Sequence, residues 1–359
     1  WGRGGDGLWF INTTEDLVDE PIYYEWQGKG YYLLVTTSKA MIVDAGTGSV
    51  VAEEGIKGSY TGLGHPAGKP EIYIGVVESN ASMPKLSMYR VAVEGLKIRV
   101  EGPILEGVDL RTGVTDRGIW TISGGSLKFY RFPGLEGVDV YSPLPVNDSV
   151  MLSAATLGRY EIVSIVLANS TSYIMIYDAG DLEPLSIIKD YVAADTIEYD
   201  NNYYILAVGF EGENFAQYSM TYLIDVFRIR DGKPVMEYGL THKNVVNYPP
   251  AVEFIGDPYH IIALSVNPRS ENKTGFAGTD PVVAVLERDG DTLYQVEVEE
   301  VTGDLPPKTI WTPYTGLSNP HDIDGDGYME VLATVKLYRG SDRIGTVVAL
   351  VEVPAPEPP

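Results

Sequence analysis

Cysteine is absent from the 359 residues, and with it go disulfides, thiolate metal sites and cysteine nucleophiles. The compartment stays open, because an oxidising environment permits disulfides without requiring them. Basic residues are scarce: 26 Lys and Arg stand against 50 Asp and Glu, a formal charge of −24. Nucleic acid and anionic lipid both need a positive face, so neither is an expected partner. No run reaches the roughly 18 consecutive apolar residues of a spanning helix, so direct membrane insertion is not expected. There are only four histidines. Neither His-Glu-x-x-His nor Gly-x-Ser-x-Gly occurs, so two common hydrolase signatures are missing. What is abundant is apolar surface, at 44% of residues, together with 39 Gly, 23 Pro and 25 Tyr. That mixture suits a folded chain of many turns joining short strands.

An internal repeat organises the chain. Seven polar tips each lead into an aromatic or apolar run: Gln27 to Gly30, Ala67 to Pro70, Asp116 to Gly118, Leu157 to Arg159, Asp200 to Asn202, Gly256 to Pro258, and Asp324 to Gly327. Their mean spacing is about 50 residues, which is a repeat-protein period. Gly, Asn and Asp tolerate the backbone of tight turns, and the Tyr, Ile, Val and Leu after them suit buried strands. Second hairpins are legible at Asp44 to Gly48, Asp178 to Asp181, Asp231-Gly232 and Asp289-Gly290. Two hairpins per unit make a four-stranded antiparallel sheet, and seven such sheets set radially make an all-β, seven-bladed β-propeller. The last unit offers only three strands, near Trp311 to Tyr314, Tyr328 to Leu337 and Ile344 to Val353. An unpaired run, Gly7 to Thr13, precedes the first tip. Joining the two would close the ring and cover two sheet edges. A pair of β-sandwich domains is the competing architecture, and it leaves this complementarity unexplained.

The propeller is therefore assigned residues 1–353. Residues 354–359 carry four prolines in six positions, an extended linker or tail after which a further domain is possible. The chain begins at Trp1, with no basic-plus-apolar leader in view. Asn-x-Ser/Thr triplets occur at Asn12, Asn80, Asn147, Asn169 and Asn272, against the roughly one or two that chance places. These glycosylation candidates point to an extracellular or cell-surface location.

The seventh tip differs from the rest. His321-Asp322-Ile323-Asp324-Gly325-Asp326-Gly327-Tyr328-Met329-Glu330 sets three carboxylates at alternate positions, with Gly327 for the sharp bend. Asp322, Asp324, Asp326, the Tyr328 carbonyl and Glu330 form a hard oxygen set of the kind Ca²⁺ takes, and Mg²⁺ suits it less. An EF-hand would carry its bidentate Glu where Ala333 stands. The loop, running into Val331 to Val335, resembles the FG-GAP repeat of integrin-type propellers. That resemblance covers about ten residues of one blade, the other six tips lacking three spaced carboxylates, and implies Ca²⁺ bound between the first two strands. The Asp44 to Gly48 turn is similar to that of quinoprotein-type blades.

Other candidates carry less. Gly2 to Gly7 lacks the strand and helix of a phosphate loop. His260 falls in an expected strand and reads as a satisfied core residue. His321 reads as an outer partner of the ion or as surface. His65 and His242 are expected in loops, with nothing in the sequence to support a metal or catalytic role. Glu53-Glu54 and Glu299-Glu300 are adjacent on expected strands, so their side chains diverge. No catalytic or cofactor-binding residue is assigned. The expected function is a non-catalytic extracellular calcium-binding propeller for adhesion, ligand binding or surface assembly, with protein or carbohydrate partners. The alternative is a secreted polysaccharide lyase or hydrolase, which buried, pKa-shifted carboxylates or histidines converging in the central funnel would favour.

Overall fold

In a computed structural model, residues 2–3, 8–58, 60–77, 85–214, 219–245, 250–268, 278–298, 309–339 and 342–355 are described. They form 29 β-strands arranged as seven antiparallel blades. Blade one consists of Ile22–Trp26, Lys29–Val35, Lys39–Asp44 and Val50–Gly55. Blade two has Tyr60–Gly64, Glu71–Val77, Leu86–Glu94 and Lys97–Val108. Blade three has Thr112–Val114, Gly118–Ser123, Ser126–Arg131 and Glu136–Val140. Blade four has Ser149–Leu157, Tyr160–Leu167, Ser172–Asp178 and Pro184–Lys189. Blade five has Tyr191–Tyr199, Asn202–Asn214, Ser219–Arg230 and Lys233–Val245. Blade six has Ala251–Ile255, Asp257–Pro268, Gly278–Glu287 and Thr292–Glu297. All seven expected tips join the first two strands of a blade. From blade two to blade seven the first strands lie beside one another, and so line the axis.

Blade seven closes the ring. Its three C-terminal strands are Thr309–Leu317, Tyr328–Arg339 and Asp342–Pro354, and the fourth is the N-terminal strand Trp9–Thr13. Phe10 stands opposite Ala349 and Thr13 opposite Thr346. Gly2–Arg3 pairs on the outer side of this strand. The closing strand thus begins two residues later than expected, and its partner runs to Pro354, one residue into the proposed tail. A contact between Gly278 and Trp311 links blades six and seven into one nine-stranded sheet.

The core lies between blades. Trp9 and Ile11 of the closing strand share one cluster with Tyr32, Leu34, Met41 and Val43 of blade one and Leu332, Val348 and Leu350 of blade seven. Trp9 is 1% exposed, and its indole N–H donates to the Ala45 carbonyl at 2.6 Å. Gly48, at φ +69°, lies under the indole, where a Cβ would come within 2.6 Å of the ring. The Asp44 to Gly48 turn is thus the seat on which the closing strand docks.

Candidate functional site

In the blade-seven loop each aspartate accepts hydrogen bonds from backbone further along the turn. Asp322 accepts hydrogen bonds from the Gly325 N–H (2.7 Å) and the Gly327 N–H (3.2 Å). Asp324 accepts from Asp326 N–H at 3.1 Å, and Asp326 from Tyr328 N–H at 2.8 Å. Gly327 takes φ +90°. One oxygen from each of Asp322, Asp324 and Asp326 lies within 4.8 Å of the others. Tyr328 and Glu330 are not in that group. Tyr328 opens the second strand and is exposed. Glu330 is 4% exposed and accepts from the Ile323 N–H at 2.6 Å through Oε2. Its Oε1 is buried without a partner, and such an oxygen is costly to leave unsatisfied. Burial first, then Asp324, Glu352 and Asp326, push Glu330 up to about 7. A cation among the three aspartates would relieve their mutual repulsion, so this oxygen donor set fits a hard cation.

The loop sits at the seam of closure. His321 exchanges backbone hydrogen bonds with Glu330 and stacks on Tyr23 of blade one, centroids 4.2 Å apart. Ile323 packs on the cluster that contains Trp9.

A second group of acids gathers in the channel, and sequence reasoning missed it. Leu17 pairs with Thr36 and Ile22 with Leu33, so Val18 to Pro21 stand opposite only Leu34 and Val35. This wide bulge, with Pro21 unable to donate to the ladder, turns Asp19 and Glu20 out of register. Gly62 of blade two permits it: a Cβ there would lie 1.8 Å from the Val18 carbonyl oxygen. His65 follows the same strand of blade two, with Nδ1 3.3 Å from Asp19 Oδ2 and Nε2 3.5 Å from Glu20 Oε1. From blade five comes Asp195, just past a register shift, and from blade six Glu253, which is 8% exposed. Asp195 accepts from the Thr196 N–H at 2.6 Å and the Phe254 N–H at 2.9 Å.

The electrostatics follow from crowding. Burial raises Glu20 to about 7, with Asp19 and Asp195 adding to the rise and His65 opposing it. Burial, then Asp195 and Glu20, push Glu253 well above the carboxylate range. Asp195 is raised by burial as well. For His65, burial is the largest influence and acts downward, but Asp19, Glu20 and Asp116 outweigh it and hold the ring at about 9. Among the described residues no Lys or Arg pairs with Glu20, Asp195 or Glu253. A cavity of about 570 Å³ opens beside Asp19 and Glu20, bounded on the far side by Tyr60 and Gly62.

The remaining candidates are placed more simply. His260 is half-buried and held by Asp257 at 2.9 Å, as a satisfied structural histidine. His242 is not in a loop: it lies on Lys233–Val245 opposite Tyr222, because pairing in blade five continues over 13 residues. Glu53 and Glu54 are exposed. Asn12, Asn147 and Asn169 are exposed, whereas Asn80, Asn272, Glu299, Glu300 and residues 356–359 lie outside the described residues.

No family model and no curated protein matches the sequence. Among solved structures, hydrazine synthase of Kuenenia stuttgartiensis is similar with a TM-score of 0.53 at 12% identity, covering 91% of this chain and 97% of that one. The dihydro-heme d1 dehydrogenase NirN in complex with DHE gives 0.47 at 9% identity, covering 94% and 68%. The WD40 domain of SCAP from fission yeast gives 0.38 at 9%, covering 90% and 81%. Likeness at such identity speaks to the fold alone.

Proposed function

We propose that this chain is a calcium-binding β-propeller of the cell exterior or surface, working by non-catalytic contact with protein or carbohydrate in adhesion, ligand binding or surface assembly. The observation that carries the reading is the blade-seven loop, where three aspartates converge and Glu330 keeps a buried, unpartnered oxygen. Asp322, Asp324 and Asp326 would hold the ion, with Glu330 and the Tyr328 carbonyl completing an oxygen set as in the FG-GAP repeats the loop resembles. Bound there, Ca²⁺ would neutralise the carboxylates at the joint between the first and last blades. The exposed sequons Asn12, Asn147 and Asn169 support the exterior location.

Thermal unfolding of the chelator-treated chain with and without added Ca²⁺ tests the reading. A melting temperature that rises with Ca²⁺, and stops rising in Asp324→Asn, is expected. An unchanged melt in the wild type overturns it.

One observation favours the second reading, an enzyme secreted to act on polysaccharide. Glu20, Asp195, Glu253 and His65 converge on the channel with shifted pKa values, which is the arrangement that acid–base work needs. Release of reducing ends from acidic and neutral polysaccharides by the wild type, lost in Glu20→Gln, would move the assignment to catalysis.

A further inference from the structure

We propose that Asp19, Glu20 and one ring nitrogen of His65 form a second cation site, on the channel wall between blades one and two, built for a divalent transition metal such as Zn²⁺. The inference is independent of calcium at the blade-seven loop.

The spacing is the first argument. An imidazolium held by carboxylates makes charge-assisted hydrogen bonds that close to about 2.7–2.9 Å. His260 Nδ1 stands 2.9 Å from Asp257 in this same chain. His65 instead keeps 3.3 Å between Nδ1 and Asp19 and 3.5 Å between Nε2 and Glu20, one carboxylate at each ring nitrogen. Two ligands on a tetrahedral metal, with bonds of about 2.0–2.2 Å, stand about 3.4 Å apart. One nitrogen and one oxygen from each carboxylate all lie within 4.8 Å of one another, a grouping that a small closure brings onto a single ion.

Rigidity is the second. Asp19 Oδ1 accepts the Glu20 N–H at 3.0 Å, Pro21 fixes the exit of the bulge, and the bare face of Gly62 receives the Val18 carbonyl. The two carboxylates are therefore presented by a braced backbone rather than by a free loop.

Charge and access are the third. Four carboxylates, Asp19, Glu20, Asp195 and Glu253, gather here around one histidine, and among the described residues no Lys or Arg pairs with Glu20, Asp195 or Glu253. The cavity of about 570 Å³ lined by Asp19 and Glu20 gives an ion a path to these two carboxylates. The nitrogen ligand decides the metal class: an imidazole suits Zn²⁺, whereas Ca²⁺ prefers the all-oxygen loop of blade seven.

The experiment uses the full chain, stripped with a chelator and titrated with Zn²⁺ in excess Ca²⁺, which saturates any all-oxygen site. One Zn²⁺ per chain is expected, with Co²⁺ in its place giving the visible absorption of a four-coordinate ion. His65→Gln and Asp19→Asn should weaken binding by at least the roughly 10–100-fold that loss of even an outer partner costs. Zn²⁺ should also protect His65 of the wild-type protein from diethyl pyrocarbonate, read by mass spectrometry, which decides the matter if either variant fails to fold. No Zn²⁺ uptake, undiminished binding in His65→Gln, or unprotected His65 overturns the proposal. Failure of the calcium reading would leave all three readouts untouched.

Discussion

Trp9 is the largest side chain that the closing strand buries, and its indole N–H is satisfied by Ala45 of blade one. Trp9→Ala should therefore cost about 3–5 kcal/mol in denaturant unfolding, the range for a buried aromatic. A loss below about 1 kcal/mol would mean that the strand is held by its backbone pairing alone. Glu253 acts through its proton. Because its folded pKa is raised above the ordinary 4.5, the fold holds the proton that the unfolded chain releases. Its favourable contribution is complete below about 4.5 and is lost as pH rises through the raised value. The chelator-treated protein should accordingly melt higher at pH 5.5 than at pH 8. Glu253→Gln, an uncharged mimic of the protonated acid, should flatten that difference and raise the melting temperature at pH 8. An equal slope in the variant would assign the pH dependence to other groups.

At the scale of elements, the bulges deserve as much weight as the strands. A regular first strand in blade one would alternate Asp19 and Glu20 between its two faces. The extra residues between Leu17 and Ile22 place both beside His65 instead. Gly62→Ala inserts a Cβ at 1.8 Å from the Val18 carbonyl oxygen, a backbone clash that no rotamer relieves. We expect it to destabilise the chain by about 1–3 kcal/mol, as overpacking does, and to move Glu20 away from His65. The wild-type and variant His65 ring resonances in a pH titration check this: a ring pKa that drops from about 9 confirms the displacement, and an unchanged one refutes it. Sequence inspection placed the seven tips because a polar turn followed by an apolar run is a local pattern. It did not place the bulge, since a Pro after two acids reads equally as a loop. His242 was misplaced for the related reason that strand length in blade five is set by partners across the sheet.

The whole molecule is a ring with one joint, and the joint is made by residues at opposite ends of the chain. Removing residues 1–13 should expose the edge of Asp342–Pro354, lower the melting temperature and promote self-association through that edge. A synthetic peptide spanning residues 8–14 should reverse both effects by adding back the strand. A truncated chain that stays monomeric with an unchanged melt would contradict the closure. The same joint carries the blade-seven loop, stacked through His321 on Tyr23, so calcium removal and strand removal should weaken the same contact and combine less than additively.

The amino-acid sequence by itself determined the number of blades, the complementary missing strand and the acidic loop, because each is encoded within a few neighbouring residues or by a repeat of them. The channel group was decided only by the tertiary structure. Glu20, His65, Asp195 and Glu253 belong to four different blades, and each alone is an ordinary polar residue in or beside a strand. Their shifted protonation arises from burial and from facing one another, with no lysine or arginine paired to Glu20, Asp195 or Glu253 among the described residues, and distance along the chain carries no trace of that.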